Sequence, residues 1–142
     1  MTLSMNVRNA LRTLGFSIAV AITLPVAAHG TEETVKPNFK SPIPNLPGKS
    51  LVAVEVEYPP GAASRPHAHA KSAFIYAYVV SGAIESQVND GAKRVYRAGE
   101  SFFEEPGSTH PVSRNASKTR PAKLLAVFVV DSDASRLTTP RQ

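Results

Sequence analysis

From Leu51 onward, apolar and polar positions alternate. Val52, Val54, Val56 and Tyr58 are interleaved with Ala53, Glu55 and Glu57. This period of two marks a strand with one buried face, and Pro59-Pro60-Gly61 ends it. Phe74 to Val80 is short and apolar at every position, which predicts a strand buried on both faces rather than a helical turn. Ser81-Gly82 turns the chain into a strand from Ala83 to Val88. Asn89-Asp90-Gly91 is a hairpin signal, and Arg94-Val95-Tyr96 pairs back. Ala98-Gly99-Glu100 turns again, Ser101 to Glu104 is short and extended, and Pro106-Gly107 leads into His110 to Arg114. A polar loop from Asn115 to Pro121 precedes the last strand, Lys123 to Asp131. Seven or eight short strands without a helix predict an all-β domain. It closes as a small β-barrel or a two-sheet jelly roll, because closure leaves few strand edges bare.

The segments around this domain, residues 51–131, differ in character. Residues 1–30 read as a secretory signal peptide: Arg8 and Arg12 precede an apolar run from Leu14 to Ala28. That run is shorter than the ~20 residues of a membrane span. Cleavage after Ala28 or Gly30 fits the small residues there. The expectation is an exported protein, periplasmic or secreted, with no stable membrane anchoring once the signal is removed; an uncleaved anchor is the alternative. Cleavage after Ala28 would leave His29 as an N-terminus able to chelate copper, against the plainer reading of a first residue with no role. Residues 31–50 carry Pro37, Pro42, Pro44 and Pro47 and read as an extended Pro-rich arm. In a small β protein such an arm can lie on a neighbouring subunit. Residues 132–142 form a polar C-terminal tail.

Composition removes several function classes. The chain has 142 residues, 12 prolines and no cysteine. The prolines argue against a helical bundle. The missing thiols exclude disulfides, thiolate metal sites and a cysteine nucleophile. The formal charge of +5 falls to +3 without Arg8 and Arg12. The remaining basic residues are scattered, with no stripe or motif for nucleic acid, so no nucleic-acid partner is expected.

Three of the four histidines fall in two places: His67 and His69, and His110 in Pro106-Gly107-Ser108-Thr109-His110. On an extended segment, residues i and i+2 point to the same face. His67 and His69 therefore offer two imidazoles together, half of a transition-metal site. If the intervening strands fold back, His110 joins them. Two solvated loop histidines are the plainer alternative.

These residues resemble the cupin superfamily, whose first motif runs Gly, five residues, His-x-His, three or four residues, Glu, six residues, Gly. Gly61, His67 and His69 fit it, and Gly82 follows after a gap longer than usual. The second motif runs Gly, five residues, Pro-x-Gly, two residues, His, three residues, Asn. Gly99, Gly107, His110 and Asn115 follow it, with Pro106 and Asn115 each one place late. The resemblance covers Val52 to Val130. It implies a double-stranded β-helix of the single-domain type, and Arg97-Ala98-Gly99-Glu100-Ser101-Phe102 is similar to a stretch in small exported bacterial cupins.

One position departs from the pattern. Counted back from Gly82 the motif glutamate falls on Ile75, and counted forward from His69 on Ala73 or Phe74; no acid lies between Glu57 and Glu85. The resemblance thus implies a three-His site without the usual Glu, holding a divalent Fe, Ni, Cu, Mn or Zn ion. Such a site would be more positive than usual and would favour an anionic ligand. It is similar to the three-His arrangement of the cysteine and diketone dioxygenases. Tyr76 or Tyr78 would be the catalytic proton donor, against the plainer role of core or interface aromatics. Glu104 and Glu105 either approach the site or form an exposed turn. Lys71, Arg94 and Arg97 either steer an anion or are simply solvated. Three readings stay open: a metal-dependent enzyme acting on a small molecule, a non-catalytic binding barrel for a small molecule or metal, and a structural domain with a degenerate site. A homodimer is expected from the resemblance.

Overall fold

The computed structural model describes residues 32–141. The signal-peptide reading of residues 1–30, with His29, lies outside the described residues. The described chain is all β. Its strands are β1 (Thr34–Pro42), β2 (Lys49–Tyr58), β3 (His67–His69), β4 (Phe74–Ser81), β5 (Ala83–Gln87), β6 (Arg94–Arg97), β7 (Ser101–Glu104), β8 (Thr109–His110), β9 (Val112–Asn115), β10 (Ala122–Asp131) and β11 (Thr138–Pro140).

A five-stranded sheet in the order β1-β2-β10-β4-β7 forms one wall. Two three-stranded sheets, β11-β3-β8 and β6-β5-β9, oppose it. Every named pairing is antiparallel. This is the jelly roll expected from the pattern.

The alternation that marks the strands also builds the core. On β10, Ala122, Leu124, Ala126, Phe128 and Val130 are buried while the residues between them are not. One apolar cluster joins Val56, Tyr58, Ala77, Val79 and Leu124 of the large sheet to Ile84 of β5. The other joins Ile75, Ala126, Phe128 and Val130 to Ala70 and Leu137 around β3 and β11. Fully burying side chains such as Ile84 or Phe128 contributes about 1.5–3 kcal/mol each.

Two turns fix the register around the site. Gly82, at φ +72°, sits so close to the chain that a Cβ there would lie 2.7 Å from the Pro121 carbonyl oxygen. Asn89 takes a positive φ in the β5–β6 turn, and its Oδ1 accepts the Thr109 backbone N–H at 2.9 Å, anchoring the strand that carries His110.

Three features differ from the sequence expectation. The arm contains strand β1, which pairs with β2 of its own chain through a bulge between Pro37 and Phe39. The tail contains β11, which pairs with the His67–His69 strand. And β4 is buried on one face only: Ile75, Ala77 and Val79 point in, whereas Phe74, Tyr76 and Val80 are exposed. The outer surface of the large sheet has no second layer among the described residues.

Candidate metal centre

β3 and β8 run side by side with His67 directly opposite His110. His69 lies two residues along β3, on the same face. The three imidazoles thus meet, with ligand atoms all within 4.8 Å of one another. Ring centroids lie 4.8 Å apart for His67–His69, 5.3 Å for His67–His110 and 5.9 Å for His69–His110.

Each ring is oriented by its surroundings. His67 Nδ1 is 2.8 Å from the Arg65 carbonyl oxygen, so the N–H sits on Nδ1 and Nε2 is left with a lone pair. Such a fixed tautomer is characteristic of metal-binding histidines. His110 Nε2 is 2.8 Å from the buried Ser86 hydroxyl, which turns Nδ1 inward. His69 is buried, and neither of its ring nitrogens has a hydrogen-bond partner. A buried polar atom without a partner is costly, and a metal ion would satisfy it. Burial also holds the His67 pKa below its ordinary value, against the raising effect of the Arg65 carbonyl, which keeps the ring neutral as a ligand. The donor set fits a divalent transition metal.

A fourth group stands at the cluster. Glu104, on β7, is 3% exposed. Its Oε2 lies 2.9 Å from His69 Nε2, without the alignment of a hydrogen bond, and its Oε1 lies 3.3 Å from His110 Nδ1. Burial alone would raise the carboxyl pKa, but His110 and His69 outweigh it and bring it to about 2. The sequence expectation of a site without a carboxylate is therefore corrected: an acid is present, from another strand. Its direct cross-strand neighbour is Ile75, the residue standing at the counted glutamate position. Glu105, by contrast, is exposed.

Tyr76 and Tyr78 are not at the site. They alternate with Ile75 and Ala77, which line the cavity, so their side chains leave from the opposite face; Tyr76 is 46% exposed. The expected proton-transfer role of these two tyrosines is corrected accordingly. The tyrosine that does line the cavity is Tyr58, which the alternation marks only as an inward-facing strand residue. It is buried, and its hydroxyl is 2.8 Å from both Ser64 Oγ and Ser113 Oγ. Burial pushes its pKa up, against the opposing effect of the two serines, so the phenol stays protonated. Lys71, Arg94 and Arg97 are exposed and do not line the cavity.

The cavity has a volume of about 410 Å³. Val54, Val56, Ile75, Leu124 and Phe128 make its apolar walls, and the histidine cluster is one polar station. Glu32, Glu33 and Arg65 also border it, Arg65 pairing with Glu32 at 2.5 Å.

The sequence matches the family model described as a cupin domain over residues 54–128, more than half of the chain. The chain belongs to the cupin domain family. Solved structures similar to this cupin include an uncharacterized conserved protein with a double-stranded β-helix domain from Klebsiella pneumoniae (TM-score 0.61, 18% identity, 78% of this chain and 85% of that one). KdgF from Halomonas sp. is similar at TM-score 0.55 and 24% identity, covering 71% and 81%. A recombinant oxalate oxidase in complex with glycolate is similar at TM-score 0.56 and 23% identity, covering 72% and 53%. At these identities the likeness establishes the fold. None of the curated proteins matches the sequence.

Proposed function

We propose that this cupin binds one divalent transition metal through His67, His69 and His110 and uses it to engage a small oxygen-bearing molecule in the adjoining cavity. The observation that carries the reading is the convergence of three imidazoles, one of which, His69, is buried with both nitrogens unpartnered. The bound metal would supply Lewis-acid polarisation or an O₂ platform, as a dioxygenase-like centre does. The chain's own residues do the rest. The Arg65 carbonyl and Ser86 set the orientation of His67 and His110. The apolar walls exclude water from the bound molecule. Tyr58, with Ser64 and Ser113, holds a hydroxyl cluster at the cavity wall.

Metal content tests this directly. Untagged protein from its own host should carry close to one equivalent of iron, nickel, copper, manganese or zinc, and His110→Ala should lose it. No bound metal, and none taken up on addition, would overturn the reading.

A non-catalytic binding barrel is the second reading. It is favoured by the scarcity of acid–base groups: of the four candidates Tyr76, Tyr78, Glu104 and Glu105, Glu104 alone faces the histidines. We also take the protein to be exported, on the strength of Arg8, Arg12 and the Leu14–Ala28 run. We take it to be a homodimer, since Phe74, Tyr76 and Phe103 are exposed together on the outer sheet face. Fractionation of the native host and light scattering test these two points.

A further inference from the structure

We propose that Glu104 is a fourth protein ligand of the metal, a carboxylate delivered from β7 across the strand pair from Ile75. The inference rests on the three-His reading above.

Three observations carry it. First, Glu104 is buried and has no lysine or arginine partner among the described residues; its ion-pair contacts are with His69 and His110. A carboxylate this deep requires positive charge nearby. A divalent ion held by the three imidazoles supplies it. The Ser108 hydroxyl, 3.4 Å from Oε2, is the remaining polar neighbour among the described residues.

Second, Glu104 is not placed to position His69. The usual supporting carboxylate accepts a hydrogen bond from the ring nitrogen that faces away from the metal. Here Oε2 approaches His69 Nε2 to 2.9 Å without hydrogen-bond alignment, and His69 Nδ1 has no partner. The oxygen and the nitrogen behave as two donors facing a common space.

Third, the spacings suit shared coordination. Two donors bound to one ion at about 2.1 Å lie about 3.0 Å apart when cis in an octahedron and about 3.4 Å apart in a tetrahedron. Each carboxylate oxygen has one such neighbour: Oε2 lies 2.9 Å from His69 Nε2 and Oε1 lies 3.3 Å from His110 Nδ1, both near these edge lengths.

The pairing of Glu104 with Ile75 gives the proposal its own test. Cross-strand Cβ atoms are about 5 Å apart, and both side chains line the cavity. A glutamate on either strand can reach the same centre. Co²⁺ is titrated into the metal-free, untagged protein, and the d–d absorption and the affinity are read. Wild type should bind one equivalent, and His110→Ala should not. Glu104→Gln, confirmed folded by circular dichroism, should weaken Co²⁺ binding by more than the roughly 10–100-fold that losing an outer-shell partner produces, and should change the band positions and intensities. The exchanged pair Ile75→Glu/Glu104→Ile should recover most of the lost affinity. Wild-type affinity and an unchanged spectrum in Glu104→Gln would overturn the proposal while leaving the three-His site standing. Failure of wild type itself to bind Co²⁺ would overturn the underlying reading and this one with it.

Discussion

Replacing Asn115 with aspartate removes two protons and almost no volume, yet the structure predicts a large loss of stability. The Asn115 side chain is buried, and its Nδ2 lies 3.2 Å from the Tyr58 carbonyl oxygen, 3.1 Å from that of Pro59 and 2.7 Å from that of Arg120. Its Oδ1 accepts the Ser117 N–H at 2.8 Å. One amide thus ties the end of β2 to the 116–121 loop. Aspartate keeps the acceptor and loses both donors, so three carbonyl oxygens face a carboxylate. Two lost hydrogen bonds at about 1 kcal/mol each, plus the penalty of a buried unpaired acceptor, give about 3 kcal/mol. At about 4 °C per kcal/mol, the melting temperature falls by about 10 °C. The loss should also depend on pH with a defined sign. The introduced carboxyl is disfavoured as an anion, so its folded-state pKa lies above the unfolded value near 3.9. Stability is then regained as pH falls and lost as pH rises through the folded pKa. Urea unfolding of both proteins at pH 5 and pH 8 reads it out. A difference below about 1 kcal/mol at pH 8, or a deficit equal at both pH values, would refute the reasoning.

Four other outcomes are expected. Gly82→Ala combines φ +72° with backbone atoms 2.7–2.8 Å from the new Cβ, and should destabilise by at least about 1–3 kcal/mol in urea; near-neutrality would contradict the turn geometry. Tyr58→Phe removes the hydroxyl shared by Ser64 and Ser113 and should cost about 1–2 kcal/mol by thermal melting, with metal content unchanged. Tyr76→Ser, on the exposed face, should leave metal content at the wild-type level; loss of the metal would put that tyrosine back at the site. The metal-free protein should weaken in acid. Burial holds His67 below its ordinary 6.5, so the unfolded chain protonates first and stability drops as pH falls below that value; Glu104 adds stability above 4.5 that is lost as pH falls towards about 2. Melting temperatures that stay flat from pH 7.5 to pH 3 would contradict both.

The sequence was legible wherever burial was one-sided. β10 alternates cleanly; on β2 Val56 and Tyr58 are buried as the alternation implies, but Ala53 is buried as well. The His67/His69 pair needed only the period of two to share a face, and His110 followed from the turn before it. Legibility failed where both faces are apolar. On β4 nothing in Phe74 to Val80 says which set points inward, and the expectation that Tyr76 or Tyr78 faces the site fails for that reason. The same ambiguity hid Glu104. Phe102 and Phe103 are adjacent aromatics, and only the fold shows that Phe102 and Glu104 are the buried pair. β1 and β11 were missed because their residues are exposed edge positions interrupted by prolines, which carry no burial pattern. Pro111 splits the predicted His110–Arg114 strand into β8 and β9 because it has no N–H for a ladder.

Anomalous diffraction from crystals of the untagged protein loaded with one equivalent of zinc tests the metal centre most directly. The account predicts one strong peak, about 2.1 Å from a ring nitrogen of each of His67, His69 and His110. A zinc peak elsewhere on the molecule, with those three rings left unbound, would contradict it.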